Sequence, residues 1–186
     1  MRCGRGPRIF VLGGFRAEVG GQRVAEDAWR RSGAAALVKL LAVTPGHRMH
    51  SEELIEVLWP ELDQAGGARR LTKALHFARR ALAARQVRLR DDLLSLEVDD
   101  LSVGVDAFAE AARWGDADGA LALYAGDLLP EHRFDQWAEL RREQVHVSVV
   151  RLLLDQGIDR EARGDHRGAI ASLERMVGID SVHEEA

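Results

Sequence analysis

The fold of this chain is decided by residues 69–98, which read RRLTKALHFARRALAARQVRLRDDLLSLEV. At 100° per residue, a helix predicted over residues 68–84 has two distinct faces. The apolar face comprises Leu71, Ala74, Leu75, Ala78, Ala81 and Leu82. The opposite face comprises Arg69, Thr72, Lys73, His76, Arg79 and Arg80. Residues 87–96 alternate on either side of Asp91-Asp92 and predict a β-hairpin.

The charge of this stretch is one-sided. No acidic residue occurs from Gln64 to Arg90, although the chain as a whole carries a net charge of -4. Residues 1–100 hold 17 Lys and Arg against 13 Asp and Glu, whereas residues 101–186 hold 9 against 17. A helix with an apolar back and a basic front is typical of contact with nucleic-acid phosphates. A solvated cationic surface is the alternative, since charged faces are common on surface helices.

The residues before the basic helix predict further elements. Residues 8–24 alternate loosely and are interrupted by Gly13-Gly14 and Gly20-Gly21, so they predict a small N-terminal sheet. The other predicted elements are a first helix capped by Ser32, a lone strand or extended link at 48–50, and a second helix from Ser51 to Trp59. The order of strands, three helices and a hairpin predicts a winged helix-turn-helix. In that arrangement the third helix enters the major groove and the hairpin contacts neighbouring phosphates.

Three stretches of the sequence carry a family resemblance: RIFVLGGFRAEVGG (8–21), WRRSGAAALVKLLAVTPGHRMHSEELIEVLWPELD (29–63) and RRLTKALHFARRAL (69–82). They resemble the N-terminal domain of bacterial activators of the Streptomyces-antibiotic-regulatory-protein type. The resemblance covers residues 8–98 and implies an OmpR/PhoB-type winged helix preceded by a small sheet. It implies that the recognition helix presents Thr72, Lys73, His76, Arg79 and Arg80, and that the wing presents Arg88 and Arg90.

The second half of the chain contains an internal repeat of Gly-Asp turns. Gly115-Asp116 is followed by Ala120 and Tyr124, and Gly164-Asp165 by Ala169 and Leu173. Small and larger apolar residues at i and i+4 predict paired helices that stack into a solenoid. The segment resembles tetratricopeptide-like repeats and the bacterial transcriptional activator domain that follows the winged helix in the same regulators. The aromatic or apolar residues expected in its core are Phe108, Trp114, Tyr124, Phe134 and Trp137.

The sequence therefore predicts an α+β winged helix-turn-helix domain at 8–98 after a flexible terminus at 1–7. An all-α helical repeat domain at 99–186 is expected to touch it. The end of the chain within a predicted helix suggests that this domain is incomplete, or that the chain is the N-terminal part of a larger regulator.

Several other kinds of site are not predicted. Gly13-Gly14 is not followed by the residues of a phosphate-binding loop. A change from strand to helix separates His47 and His50 from Glu53, so no metal site is expected. No constellation supports an enzyme, and no cofactor is expected. The single Cys3 excludes an internal disulfide, and no apolar run is long enough to span a membrane, which predicts a cytoplasmic protein.

These observations favour a sequence-specific DNA-binding transcriptional regulator. The expected partners are double-stranded DNA, RNA polymerase and a second copy of the chain on DNA, with activation implied by the resemblance. The predicted DNA-binding residues are Arg69, Thr72, Lys73, His76, Arg79, Arg80, Arg88 and Arg90. A helical-repeat adaptor whose basic face binds an acidic protein is the alternative. Salt-sensitive binding to duplex DNA with a sequence preference distinguishes the two.

Overall fold

A computed structural model describes residues 6–29, 33–82, 87–97 and 102–184, with side chains up to residue 179. This part of the chain forms a mixed α+β structure with two small sheets. In chain order its elements are β1 (Arg8–Phe10), β2 (Arg16–Val19), β3 (Gln22–Arg23), α1 (Ala34–Val43), β4 (Arg48–His50), α2 (Ser51–Leu58), α3 (Gln64–Ala81), β5 (Val87–Arg90), β6 (Leu93–Leu96), β7 (Ser102–Val103), α4 (Gly104–Arg113), α5 (Ala117–Leu123), α6 (Gln136–Ala162) and α7 (His166–Glu184).

The N-terminal sheet has the strand order β3-β2-β1-β7. Its first three strands were expected from the glycine-interrupted alternation of residues 8–24. The fourth strand was not anticipated, because two residues give too short a pattern to detect. β7 pairs in parallel with β1, with Ile9 opposite Val103, and leads directly into α4. The sheet is thus completed by residues that follow the hairpin in the chain.

The second sheet, which we call the wing sheet, has the order β4-β6-β5. Asp91 and Asp92 adopt positive φ angles of 47° and 60°, and this conformation closes a tight hairpin between β5 and β6. The predicted hairpin at 87–96 is therefore confirmed. Residues 48–50, predicted as a lone strand or an extended link, form a strand that pairs with the central strand β6.

The basic helix begins four residues earlier than the predicted range 68–84 and ends at Ala81. The Asp63 carboxylate accepts a hydrogen bond of 2.8 Å from the Gly66 amide, so the first turn is capped before Gln64. Gly67 is buried where α3 crosses α2, and a Cβ there would collide with the Ile55 side chain. Residues 83 and 84 of the predicted range lie outside the described residues, as does Ser32, the predicted cap of the first helix.

The helical half consists of two antiparallel hairpins, α4–α5 and α6–α7. Each connection contains one of the Gly-Asp turns, so both pairs are turns between helices as predicted, and the solenoid remains a prediction. Asp116 accepts a hydrogen bond from the Gly119 amide, and Asp165 accepts one from the Gly168 amide, both at 2.9 Å. The same five-residue pattern, Gly-Asp-x-x-Gly, thus caps both second helices.

A continuous apolar core joins both halves, from Ile9 and Leu37 to Leu153. Among the aromatic residues predicted in the core, Phe108 and Tyr124 are buried and Trp137 is partly buried. The prediction is wrong for Trp114 and Phe134, whose exposed fractions are 78% and 84%. Trp114 directly follows α4, and Phe134 lies in the loop before α6. At these turns the side chains point away from the packed helix faces.

The two halves of the chain contact each other directly, as expected. The Gly13 amide donates to the carbonyl oxygens of Gly126 at 3.1 Å and Asp127 at 2.9 Å, and the Leu129 amide donates to Val11 O at 2.9 Å. These hydrogen bonds connect the residues that follow β1 to the loop before α6. The division of the chain into domains at residues 98 and 99 remains a prediction.

Candidate nucleic-acid interface

The two faces of α3 are arranged as its periodicity predicted. Leu71, Ala74, Leu75 and Ala78 are buried against α1 and α2. Every residue of the predicted opposite face is exposed: Arg69, Thr72, Lys73, His76, Arg79 and Arg80. The apolar face anchors the helix, and the basic face points into solvent.

Most charged groups on this face have no internal partner. Among the described residues, Arg69, Lys73 and Arg80 form no hydrogen bond or ion pair. His76 contacts the edge of Phe77, with ring centroids 5.4 Å apart. The Thr72 hydroxyl donates to Ala68 O at 2.9 Å, so its oxygen can still accept a hydrogen bond.

Arg79 has a structural contact that the sequence did not indicate. Its Nε donates a hydrogen bond of 2.8 Å to the carbonyl oxygen of Val87, the first residue of β5. This bond joins the end of α3 to the wing sheet. Arg79 therefore ties the first residue of the wing sheet's β5 to the basic face of α3.

The side chains of β5 differ in part from their expected environment. The alternation of residues 87–90 predicts that Val87 and Leu89 both enter the core. Val87 is fully buried, but Leu89 is 40% exposed, so this prediction is wrong for Leu89. The reason is that β5 is an edge strand and Leu89 lies near the hairpin tip. Arg88 forms an ion pair with Glu97 at 3.1 Å. Arg90 is exposed and has no ion pair with a described residue.

The pairing register reveals two further basic residues next to the wing. Arg48 and Arg88 lie on either side of Ser95, and His50 and Arg90 lie on either side of Leu93. Directly opposed residues point to the same face of a sheet. The outer face of the wing sheet therefore carries four basic residues: Arg48, His50, Arg88 and Arg90. The alternation in Arg48–His50 was visible in the sequence, but its pairing with the hairpin was not.

A charged cluster around buried His47 connects the base of the wing sheet to the helical half. His47 precedes β4 and is buried, with a φ of 54°. Its Nε2 lies 2.7 Å from Asp106 Oδ2, and its Nδ1 lies 3.1 Å from Leu41 O. The hydrogen bond with Asp106 raises the pKa of His47, and burial opposes this shift. Arg141 of α6 binds the other oxygen of Asp106 at 2.8 Å.

A second charged cluster lies on α1. Lys39 Nζ is 2.8 Å from Glu131 Oε1 and 2.9 Å from His132 Nε2, and both partners belong to the loop before α6. Burial opposes ionisation of Glu131, but the hydrogen bond from Lys39 lowers the pKa of its carboxyl below the ordinary value. The two clusters connect α1 and the residue before β4 to the helical half at two points.

The described residues offer little for other kinds of chemistry. Within 6–29, 33–82, 87–97 and 102–184, no group of three or more His, Cys, Asp or Glu side chains could hold a metal ion. In the same ranges, none of the helices combines the length and apolar character needed to cross a membrane. The basic face of α3, together with the outer face of the wing sheet, is the candidate site.

Comparison with known proteins identifies the fold. No protein-family model matches the chain, and no curated protein matches its sequence. The structure is similar to that of Mycobacterium tuberculosis EmbR, solved in complex with a low-affinity phosphopeptide, with a TM-score of 0.70 and 18% sequence identity. The alignment covers 91% of this chain and 49% of the EmbR chain, so this chain spans about half the length of that protein. The chain thus shares the mixed α+β architecture of EmbR, the kind of fold that the sequence resemblance implied.

Proposed function

We propose that this protein is a sequence-specific DNA-binding transcriptional regulator. The observation that carries the proposal is the exposed basic face of α3, whose cations at Arg69, Lys73 and Arg80 have no partner among the described residues. Unpaired cations of this kind favour binding to DNA phosphates, because the binding releases the counterions condensed on DNA. The structural similarity to EmbR is consistent with a regulator of this type.

The shape of the surface suits duplex DNA. The B-form major groove admits an α-helix, and the exposed face of α3 provides side chains of several kinds. Lys73 can donate to guanine, Thr72 can contact a thymine methyl group, and His76 can bond to base edges. Arg80 lies at the end of the helix, where a contact with a phosphate positions the protein without selecting a sequence.

The first prediction separates base contacts from phosphate contacts. Lys73→Ala and His76→Ala are each expected to weaken binding to the preferred duplex by about 1–3 kcal/mol and to change the preferred sequence. Arg80→Ala should weaken binding to all duplexes alike. Gel-shift titrations with the preferred and a scrambled duplex measure both effects. Arg167→Ala, on the exposed face of α7, is the charge-matched control.

Two results would contradict this interpretation. Unchanged affinity in all three α3 variants would remove this helix from the DNA interface. Equal binding of the wild-type chain to both duplexes and to polyglutamate would favour the alternative, an adaptor whose basic face binds acidic proteins.

The second prediction concerns the wing. Arg90→Ala is expected to lower the slope of log K against log salt by about one, because each phosphate contact contributes about 0.9 to that slope. Arg48→Ala should have a similar effect if the whole outer face of the wing sheet contacts the backbone. Arg151→Ala, on an exposed part of α6, removes the same charge elsewhere. A slope that falls equally in this control would indicate a general charge effect instead of contacts by the wing.

Three other parts of the proposal rest on the family resemblance: activation of transcription, contact with RNA polymerase and a homodimer on DNA. Location in the cytoplasm and the absence of an enzymatic role are proposed from the residues of the sequence. In this proposal the helical half holds the DNA-binding half through the two charged clusters and provides the surface for protein partners.

A further inference from the structure

A cavity of about 260 Å³ lies where the N-terminal sheet meets α4 and α5. One wall is formed by β1 and by Arg16 of β2. The other wall is formed by residues of the helical half, principally Gly104, Ala107, Ala122, Leu123 and Ala125. The cavity is therefore lined by both halves of the chain and lies outside the proposed DNA-binding surface.

The lining of the cavity is aliphatic, apart from one ring and a few polar groups. Ile9, Val11 and Leu12 are buried at the sheet, and small side chains line the opposite side. Its polar side chains are those of Arg8, Arg16 and Ser102, and no acidic residue lines it. A ligand in this space would meet aliphatic side chains from the sheet and from the helices, together with the positive charges of Arg8 and Arg16.

Arg16 provides an unneutralised charge at the cavity. Its guanidinium carbon lies 3.9 Å from the centroid of the Phe10 ring, and the side chain is half-buried. No carboxylate of the described residues forms an ion pair with it. Arg8 contacts the same ring at 5.0 Å but also lies 3.7 Å from Glu18. Asp106, the acidic residue in the first turn of α4, is engaged by His47 and Arg141.

The beginning of α4 adds partial positive charge to the same cavity. Gly104 is the first residue of this ten-residue helix, and the preceding Val103 offers no capping side chain. The first amides of a helix lack internal acceptors, and the helix dipole favours an anion at that end. Gly104 packs next to Ile9 and Phe10 of β1, so this first turn lies beside the strand.

We propose that this cavity binds a small carboxylate with an aliphatic tail. The carboxylate faces Arg16 and the first turn of α4, and the tail lies between the sheet and the alanines of α4 and α5. The volume equals that of about nine water molecules at roughly 30 Å³ each, which is sufficient for a medium-length alkyl chain. A ligand held by both walls stabilises their contact, because binding to the folded chain alone shifts the folding equilibrium.

The test is titration of the full chain with octanoate, followed by the amide shifts of ¹⁵N-labelled protein. Shifts are expected at Phe10, Gly104 and Ala122. Octan-1-ol, which has the same tail without the charge, should bind about tenfold more weakly. Arg16→Gln should reduce octanoate affinity to the level of the alcohol. Arg23→Gln, an exposed arginine on the neighbouring strand that does not line the cavity, should leave it unchanged.

A second variant keeps the test decisive if Arg16→Gln is unstable. Ala122→Phe fills the mouth of the cavity and should abolish the octanoate shifts while the arginine remains. The proposal is overturned if octanoate causes no shifts at these amides, if the alcohol binds equally well, or if binding survives in both the Arg16 and Ala122 variants. None of these measurements involves DNA, so the outcome is independent of the proposed function.

Discussion

Replacing Gly13 with alanine is expected to destabilise the protein by about 3 kcal/mol. Gly13 has a φ of 72°, a conformation that costs other residues about 1–2 kcal/mol. A Cβ atom at this position would lie 2.5 Å from the carbonyl oxygen of Ala125. That obstacle is backbone and cannot move without breaking the hydrogen bonds from the Gly13 amide to Gly126 and Asp127, each worth about 1 kcal/mol.

A matched variant separates the two costs. Gly20 also has a positive φ, of 60°, but no atom lies within 4 Å of the position that its Cβ would occupy. Gly20→Ala should therefore cost only about 1 kcal/mol, the strain of the conformation itself. Urea unfolding followed by circular dichroism gives both free energies. If the two variants lose the same stability, the contact between the sheet and the loop before α6 contributes nothing.

Removal of the Asp106 carboxylate is the second substitution with a large expected effect. In Asp106→Ala, buried His47 and the guanidinium of Arg141 both lose their partner. Breaking a fully buried pair costs about 3–5 kcal/mol, and the partial exposure of Asp106 reduces the expected loss to about 2 kcal/mol. Glu110→Ala, an exposed carboxylate on the same helix, should change stability by less than about 0.5 kcal/mol.

The same cluster predicts a dependence of stability on pH. The pKa of His47 is raised in the folded chain by Asp106, against the opposing effects of burial and the nearby Arg141. A raised pKa means that the folded state binds the proton more tightly than the unfolded state. The contribution is therefore fully present below pH 6.5, the ordinary histidine value, and is lost as the pH rises through the folded-state pKa. As the pH rises from 6.5 through the folded-state pKa, the free energy of unfolding should fall in wild type and change less in Asp106→Asn. An equal decline in both would exclude His47 as the titrating group.

Local pattern was sufficient to predict the helix and hairpin of the candidate interface. The faces of α3 follow from its own periodicity, and the β5–β6 turn follows from Asp91-Asp92 between alternating residues. The apolar periodicity predicts too late a start for α3, because the cap at Asp63 precedes the periodic residues. The glycines at 66 and 67 disfavour a helix in isolation, but Gly67 is needed where α2 and α3 cross.

Long-range contacts explain what the sequence could not predict. Arg48 and His50 join the basic surface only because β4 pairs with β6, a register that no local signal encodes. The bond from Arg79 to Val87 likewise depends on how the hairpin folds back onto α3. Trp114 and Phe134 were assigned to the core by residue type, but their positions at turns leave them in solvent.

The parallel pairing of β1 with β7 has a consequence for the order of events in folding. Ile9 and Val103 are neighbours in the sheet, yet α1, α2, α3 and the β5–β6 hairpin all lie between them in the chain. During synthesis, β1 cannot pair with β7 until the whole stretch between them has left the ribosome. Each doubling of such a loop adds only about 0.6 kcal/mol to the entropy of closure, but distant pairings of this kind slow folding. In topological terms, the segment from α1 to β6 is inserted between two adjacent strands, so its local contacts can form before the sheet is complete.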